Sequence, residues 1–219
     1  MIIRLNSNRK WFPDTALADE DGLLAFGGDL ETERLITAYS RGIFPWFSDE
    51  TPILWYAPPE RFVLFPDELH VSKSMEQVLR SGKFSIRINT AFARVIKACA
   101  SAERPGQDGT WITDDMLYAY TKLHEAGYAH SVEVWKDDVL CGGLYGVKIG
   151  SVFCGESMFS LQPNASKAAL IWLCRDAPDI DLVDCQIYSE HLERMGARLI
   201  PRDTFEKMLS LQTVAPSGL

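Results

Sequence analysis

The chain has 219 residues, of which 47% are hydrophobic and 11% aromatic, which is typical of a folded globular protein with a sizeable core. Its formal net charge of −8 excludes a general nucleic-acid binder, so any RNA contact is expected to be local. The sequence shows no apolar run of membrane-spanning length, no signal-peptide pattern, and no zinc or disulfide spacing among its five cysteines, which favours a cytoplasmic protein.

The first part of the chain, residues 1–63, is rich in aromatic residues, glycine and proline, and we expect it to form a small N-terminal α/β domain. The pattern predicts a helix over 31–41 that ends at Gly42, because glycine just past a helix is a common stop signal. Asp29 is expected to cap this helix. A Pro-Pro turn then leads to the border with a second domain, residues 64–219.

The second part alternates helices and strands. Helices are predicted over residues 72–80, 91–100, 113–126 and 189–195, with Ser72 and Thr113 as N-caps of the first and third. A further helix, capped by either Asn164 or Ser166, is predicted to end at about Arg175. Strands are predicted over residues 84–88, 131–135, 139–147, 151–159, 182–186 and 198–201. The last six residues are expected to be frayed.

The stretch 130–186 contains polar residues and glycines at positions where a plain core would not need them. Glu156 lies within an otherwise apolar strand. Asp184 and Gln186 are two apart on one strand and should point to the same face. Three glycines within 142–146 leave room for another backbone or a ligand. The pattern indicates a site, although a solvated polar pair at a strand end would give the same spacing.

Cys185 lies between the two polar residues of this strand and should therefore point to the opposite face, as a buried core cysteine. The alternative is a nucleophilic thiol activated by His191.

The order of elements, antiparallel hairpins, helix, strand, helix, glycine and final strand, resembles the GNAT acyltransferase superfamily. This implies an α/β (α+β) fold with a mixed, mainly antiparallel sheet in the second domain. The segment before the central helix, SLQPNASKAAL, lacks the glycine loop whose amides hold the pyrophosphate of coenzyme A. This argues for an acyl donor other than coenzyme A.

A closer resemblance is carried by a series of long motifs. In order they are GLLAFGGDL, RLITAYSRGIFPWF, ILWYAPPER, GTWIT, LHEAGYAHSVEVW, GGLYGVKIGSVFCGESMFS, NASKAAL and LVDCQ. Over about residues 10–205 the chain resembles the leucyl/phenylalanyl-tRNA–protein transferase family. The resemblance implies transfer of leucine or phenylalanine, with methionine as a further candidate, from Leu-tRNA or Phe-tRNA to acceptor proteins with N-terminal Arg or Lys. The product is a bacterial degradation signal, and no metal or cofactor is implied.

The resemblance also assigns candidate site residues. It implies that Asp184 and Gln186 carry the catalytic role and that Glu156 contacts the ligand. Residues implied to stack on the terminal adenosine or to wall the site are Trp111, Tyr120, Trp46 and Tyr39. Residues implied to form the apolar pocket for the Leu or Phe side chain are Leu144, Phe153, Met158, Leu170 and Leu173. Leu173 departs from the phenylalanine of the family, which leaves the preference between the two donors open.

The implied chemistry needs little from the protein beyond positioning. An aminoacyl ester is already activated, and an α-amine with a pKa of about 7.7–8.0 is partly neutral at pH 7. Holding amine and ester in attack geometry can contribute roughly 7–11 kcal/mol. We therefore expect catalysis by positioning, with a carboxylate and an amide orienting the amine.

Two other functions remain open at this point. One is a GNAT-like N-acyltransferase with an acyl-CoA donor, and the other is a non-catalytic binder of charged tRNA that acts as a degradation adaptor. The densest basic run, Lys73, Arg80, Lys83 and Arg87, is either a phosphate-binding patch or a solvated face. We expect a monomer without membrane contact, because no helix shows a sustained apolar seam.

Overall fold

The computed structural model describes residues 2–102 and 111–219. Gly109 and Thr110, the first two residues of the GTWIT motif, lie outside the described residues. Within the described part of the chain, no helix combines the length and apolar character needed to cross a membrane.

The N-terminal part forms a four-stranded sheet with one helix. Its elements are β1 (Ile3–Leu5), β2 (Leu23–Gly27), α1 (Thr32–Tyr39), β3 (Phe44–Pro45) and β4 (Leu54–Tyr56). The strand order is β1-β2-β4-β3, with β1 and β2 parallel and the other pairs antiparallel. Trp55 is fully buried on β4, and its indole Nε1 donates to the Gly27 carbonyl at 2.9 Å, which ties the hairpin to β2.

The rest of the chain builds a seven-stranded sheet with helices. Its elements are β5 (Glu60–Leu64), α2 (Lys73–Arg80), β6 (Ser85–Ile88), α3 (Phe92–Ala100), α4 (Asp114–Glu125), β7 (Ala129–Lys136), β8 (Val139–Ile149), β9 (Val152–Ser160), α5 (Ala165–Arg175), β10 (Leu182–Gln186), α6 (Glu190–Glu193), β11 (Arg198–Pro201) and α7 (Arg202–Ser210). The strand order is β11-β5-β10-β9-β8-β7-β6, and every neighbouring pair is antiparallel except β9 and β10. The expected α/β class with a mixed, mainly antiparallel sheet is confirmed.

Strand β5 spans the predicted border between residues 63 and 64. It pairs with β10 and β11 and is therefore an inner strand of the larger sheet.

Local sequence signals explain the N-termini of α2 and α4. The hydroxyl of Ser72 accepts a hydrogen bond from Met75 N, and that of Thr113 accepts one from Met116 N, so both predicted N-caps are confirmed. Helix α1 is shorter than predicted. The prediction that Asp29 is its N-cap was wrong, because Glu31 occupies that position. Asp29 accepts a hydrogen bond from Glu31 N at 3.1 Å, just before the helix, and pairs with Lys10 and Arg34.

The glycines of β8 make room for protein rather than for a ligand. A Cβ at Gly142 would lie 2.4 Å from the Ala165 Cβ, so this glycine lets α5 pack closely on the sheet. A Cβ at Gly146 would lie 2.3 Å from the Cys154 carbonyl oxygen and 2.5 Å from the Phe153 ring.

The C-terminal end differs from the expectation in two respects. The sequence reading missed α7, which follows β11 directly. The last residues are also not frayed, because Lys148 Nζ donates to the Gly218 carbonyl at 2.8 Å and Ser217 N donates to the Gly127 carbonyl at 3.3 Å. The tail is thus anchored to β8 and to the turn before β7 by polar contacts that composition alone does not signal.

Candidate active site

A cavity of about 440 Å³ opens between the central strands of the large sheet, helix α5 and the N-terminal hairpin. All five predicted apolar pocket residues line it: Leu144, Phe153, Met158, Leu170 and Leu173. They come from β8, β9 and α5, so the pocket is built across the sheet and its covering helix. The volume falls within the range of small-molecule sites, which is roughly 300–1,000 Å³.

The polar wall of the cavity centres on Glu156. Its carboxylate Oε1 accepts hydrogen bonds from Tyr39 Oη at 2.6 Å and Gln186 Nε2 at 2.8 Å, and Oε2 accepts from Tyr120 Oη at 3.1 Å. Burial raises the pKa of Glu156 to about 7, opposed by these three hydrogen bonds and reinforced by the nearby charge of Asp184. Near neutral pH this carboxyl therefore exists in both protonation states.

Tyr39 and Tyr120 lie behind Glu156 and are fully buried. Their hydroxyls hydrogen-bond to one another as well as to Glu156. Neither is among the residues that line the cavity. In this structure the two tyrosines thus fix the orientation of Glu156, and they join α1 of the N-terminal part to α4 and β9.

Strand β10 has a register irregularity between the two predicted catalytic residues, Asp184 and Gln186. The pairing with β5 shifts between Asp184 and Gln186, and Gln186 adopts a left-handed backbone with φ of 65°. Such a conformation is uncommon for a residue other than glycine and occurs often at functional sites. Cys185 lines the cavity and packs with Val183 against the apolar cluster of β9 and α5, whereas the Asp184 carboxylate binds Arg61, so the expectation that the two side chains point to opposite faces is confirmed.

The Cys185 thiol is nevertheless poorly suited to act as a nucleophile. Burial raises the pKa of Cys185, and burial also lowers the pKa of His191. Both shifts favour the neutral thiol and the neutral imidazole over a thiolate–imidazolium pair. The Cys185 Sγ makes its own contact with the Val183 carbonyl, at 3.8 Å.

Asp184 is completely buried and bound by a cation that the sequence reading did not identify. Arg61 Nε donates to Asp184 Oδ1 at 2.8 Å, and Arg61 Nη2 donates to Oδ2 at 2.7 Å. Oδ1 also accepts from the backbone N–H of Gln186 at 2.9 Å. Asp184 and Gln186 are thus coupled through the backbone, whereas only Gln186 extends its side chain to Glu156.

Two tryptophans border the cavity from different parts of the chain. Trp46 follows β3 and has 40% of its surface exposed, while Trp111 precedes α4 and is half-buried. Exposed aromatic faces at the rim of a cavity are suited to stacking on a nucleobase.

The basic run lies away from this cavity. Lys73 and Arg80 are exposed on α2, and Arg87 pairs with Asp138 and lies over the Trp135 ring. None of the four basic residues lines the cavity. Among the described residues, no group of His, Cys, Asp and Glu side chains could hold a metal ion.

Models of known protein families match both parts of this chain. A family model described as leucyl/phenylalanyl-tRNA protein transferase matches residues 63–210, and one described as the N-terminal domain of that transferase matches residues 28–59. The chain belongs to this family. The predicted resemblance is therefore confirmed, and the matches cover both parts of the fold.

Close relatives in the transferase family align over nearly the whole chain. A protein from Syntrophus aciditrophicus (strain SB) is 57% identical over 200 residues, which are 90% of this chain and 84% of that protein. A protein from Psychromonas ingrahamii is 54% identical over 213 residues, which are 95% of this chain and 89% of that protein. Both carry the name leucyl/phenylalanyl-tRNA–protein transferase.

Solved structures of other families share only a distant likeness with this transferase-family chain. FemX has a TM-score of 0.48 and 12% identity, covering 81% of this chain and 70% of FemX. A GCN5-related N-acetyltransferase from Kribbella flavida has a TM-score of 0.41 and 12% identity, covering 76% of this chain and 59% of that protein. At these scores the likeness carries no argument, and the fold class rests on the sheet topology.

Proposed function

We propose that the protein transfers leucine, and also phenylalanine, from aminoacyl-tRNA to the N-terminal Arg or Lys of acceptor proteins. Family membership favours this reaction over an acyl-CoA-dependent transfer or a non-catalytic adaptor role. The observation that carries the proposal is the cavity itself, in which an apolar pocket meets Glu156 and Gln186 beside two tryptophans. These are the features that an adenosine carrying an apolar amino acid requires.

The donor occupies the cavity in two parts. The Leu or Phe side chain lies among the apolar residues of β8, β9 and α5, where Met158 adapts to either shape. The terminal adenine stacks on Trp111, with Trp46 as a second aromatic wall. Glu156 and Gln186 then face the ester and its neighbouring polar groups.

The transfer itself forms one bond and breaks one. The neutral α-amine of the acceptor attacks the ester carbonyl carbon, a C–N bond forms, and the C–O bond to the tRNA ribose breaks. The nitrogen loses one proton, and the departing ribose oxygen gains one. The Gln186 side-chain oxygen is available to accept a hydrogen bond from the attacking amine, because its Nε2 already donates to Glu156.

Asp184 contributes to this step through Gln186. Both of its oxygens bind Arg61, and Oδ1 also holds the Gln186 N–H, so the carboxylate fixes the strand end that presents Gln186. The rate then arises mainly from the alignment of amine and ester, which can contribute roughly 7–11 kcal/mol.

The cationic N-terminus of the acceptor is attracted by the acidic balance of the chain. We propose that the protein acts in the cytoplasm, as a monomer, on acceptors with N-terminal Arg or Lys.

The test is a transfer assay with labelled Leu-tRNA and peptides that differ only in their first residue. We expect label on peptides that begin with Arg or Lys and none on a peptide that begins with Ala. Label on neither peptide, or equal label on both, would reject the proposed function. Transfer that requires an acyl-CoA would instead support the acetyltransferase-like alternative.

A further inference from the structure

Arg61 is fully buried and yet contacts parts of the chain that are distant in sequence. Its guanidinium binds both oxygens of Asp184, at 2.8 and 2.7 Å, and its Nη1 donates to the Gly42 carbonyl at 2.9 Å. The same group lies over the rings of Phe44 at 4.6 Å and Phe205 at 4.8 Å. One side chain thus joins the start of the β3–β4 hairpin, strand β10 and helix α7.

The contacts lead from Arg61 to the site in three short steps. Arg61 holds Asp184, Asp184 Oδ1 accepts from Gln186 N at 2.9 Å, and Gln186 Nε2 donates to Glu156 at 2.8 Å. Gln186 needs such support because its φ of 65° lies in the left-handed region. A carboxylate held at both oxygens by a planar, two-pronged donor has a fixed orientation, which a single flexible contact does not give.

We infer that Arg61 is a positioning residue for the transfer reaction, acting through Asp184 to hold Gln186 in the orientation that receives the attacking amine. Arg61 does not line the cavity, so any effect on the reaction has to pass through Asp184. Its geometry matters as well as its charge, because guanidinium presents a rigid fork and ammonium does not. The inference rests on the proposed function, since it concerns the same reaction.

The first test compares Arg61→Lys, Arg61→Met and Arg198→Met with the wild-type protein in the transfer assay. Arg198 is the matched control. Two of its guanidinium nitrogens also bind both oxygens of a carboxylate, that of Glu68, but this pair lies on the surface. We expect Arg61→Met to lower kcat at least tenfold with KM for Leu-tRNA changed less than threefold. Arg61→Lys should fall between Arg61→Met and the wild type, and Arg198→Met should match the wild type.

A buried carboxylate without its cation destabilises the fold, so a second variant separates stability from positioning. Arg61→Met combined with Asp184→Leu removes both charges. We expect its melting temperature to recover toward the wild-type value and its affinity for a leucyl-adenosine analogue to persist, while kcat stays at least tenfold below wild type. A purely structural ion pair would instead give normal turnover once stability is restored.

Wild-type kcat in either the Arg61→Lys variant or the double variant would overturn the inference. Arg61→Lys decides the question even where the other variants do not fold, because it retains the buried charge. Failure of the wild-type protein to transfer leucine in the same assay would reject the proposed function and not the role of Arg61, so the two failures are distinguishable.

Discussion

Two buried carboxylates on neighbouring parallel strands have opposite surroundings. Asp184 on β10 is bound by the guanidinium of Arg61 through both oxygens, whereas Glu156 on β9 is bound by two hydroxyls and an amide, all of them neutral. Burial raises the pKa of Glu156 to about 7 because no cation offsets the loss of solvation. Burial alone therefore does not determine how a carboxylate behaves. The charge of its hydrogen-bond partner decides whether the ionised form is stabilised.

The difference assigns separate tasks to the two groups. Both residues line the cavity, but Asp184 is held at the end of β10 by a cation, whereas Glu156 has no cation and its charge changes near neutral pH. Gln186 connects them, since its backbone N–H binds one and its side chain binds the other.

The largest expected effect comes from removing this connection. Gln186→Ala deletes the amide that receives the amine and frees Glu156 from one hydrogen bond. Loss of a group that assists proton transfer from the attacking amine costs roughly 100-fold or more in kcat. Steady-state kinetics with Leu-tRNA and an Arg peptide measure it, with Gln77→Ala on the exposed face of α2 as control. A kcat within threefold of wild type would remove Gln186 from the mechanism.

The Glu156→Gln variant tests whether neutral surroundings raise the pKa of Glu156, because a raised pKa makes the free energy of unfolding depend on pH. The folded-state pKa of about 7 lies above the ordinary 4.5, so this group stabilises the fold below about pH 4.5 and loses that contribution as pH rises through 7. The variant lacks this loss. Its free energy of unfolding relative to wild type should therefore rise by about 3 kcal/mol between those limits.

Denaturant titrations of both proteins at several pH values between about 4.5 and 8 provide this measurement. Comparing the two proteins cancels His130, whose pKa is lowered by burial to about 4 and which acts in the opposite direction in both. A difference in unfolding free energy that stays constant across this range would mean that folding does not raise the pKa of Glu156.

The Trp111→Ala variant separates binding of the tRNA donor from orientation of the reacting groups by Gln186 and Glu156. Loss of a stacking face should weaken donor binding by roughly 1–3 kcal/mol, raising KM for Leu-tRNA while kcat changes little. Trp11 is exposed and does not line the cavity, so Trp11→Ala is the matched control. A fall in kcat with unchanged KM would place Trp111 in the chemical step instead.

Cys185→Ala should have the smallest effect. The thiol lies between the two polar residues, but its raised pKa keeps it neutral, so we expect kcat within about twofold of wild type. A loss of tenfold or more, or a leucyl thioester trapped on the protein, would contradict this assignment.

The sequence was informative wherever function depended on side-chain type. The five apolar pocket residues, Glu156 and Gln186 line one cavity, as the family motifs imply. Strand alternation by itself pointed only to the pair Asp184 and Gln186. Alternation places Cys185 correctly on the face opposite to Asp184, but it does not anticipate the register shift between Asp184 and Gln186. At this shift the Asp184 side chain accepts a hydrogen bond from the Gln186 backbone N–H, and Gln186 adopts a left-handed backbone, which the alternation of polar and apolar residues does not display.

Arg61 illustrates the same limit more strongly. In the sequence it is one arginine next to a glutamate at the start of a strand, and nothing nearby marks it as buried. Its partner is 123 residues away, and its ring contacts come from both ends of the chain. Only the fold brings these groups together.

The most direct test of the account is a crystal structure with a non-hydrolysable amide analogue of leucyl-adenosine. We predict that the leucine side chain packs against Leu144, Met158 and Leu170 and that the adenine stacks on Trp111. The carbonyl carbon should face Gln186, with room for an amine nitrogen at about 3–3.5 Å from that carbon. An analogue bound outside this cavity, or with its carbonyl turned away from Gln186, would contradict it.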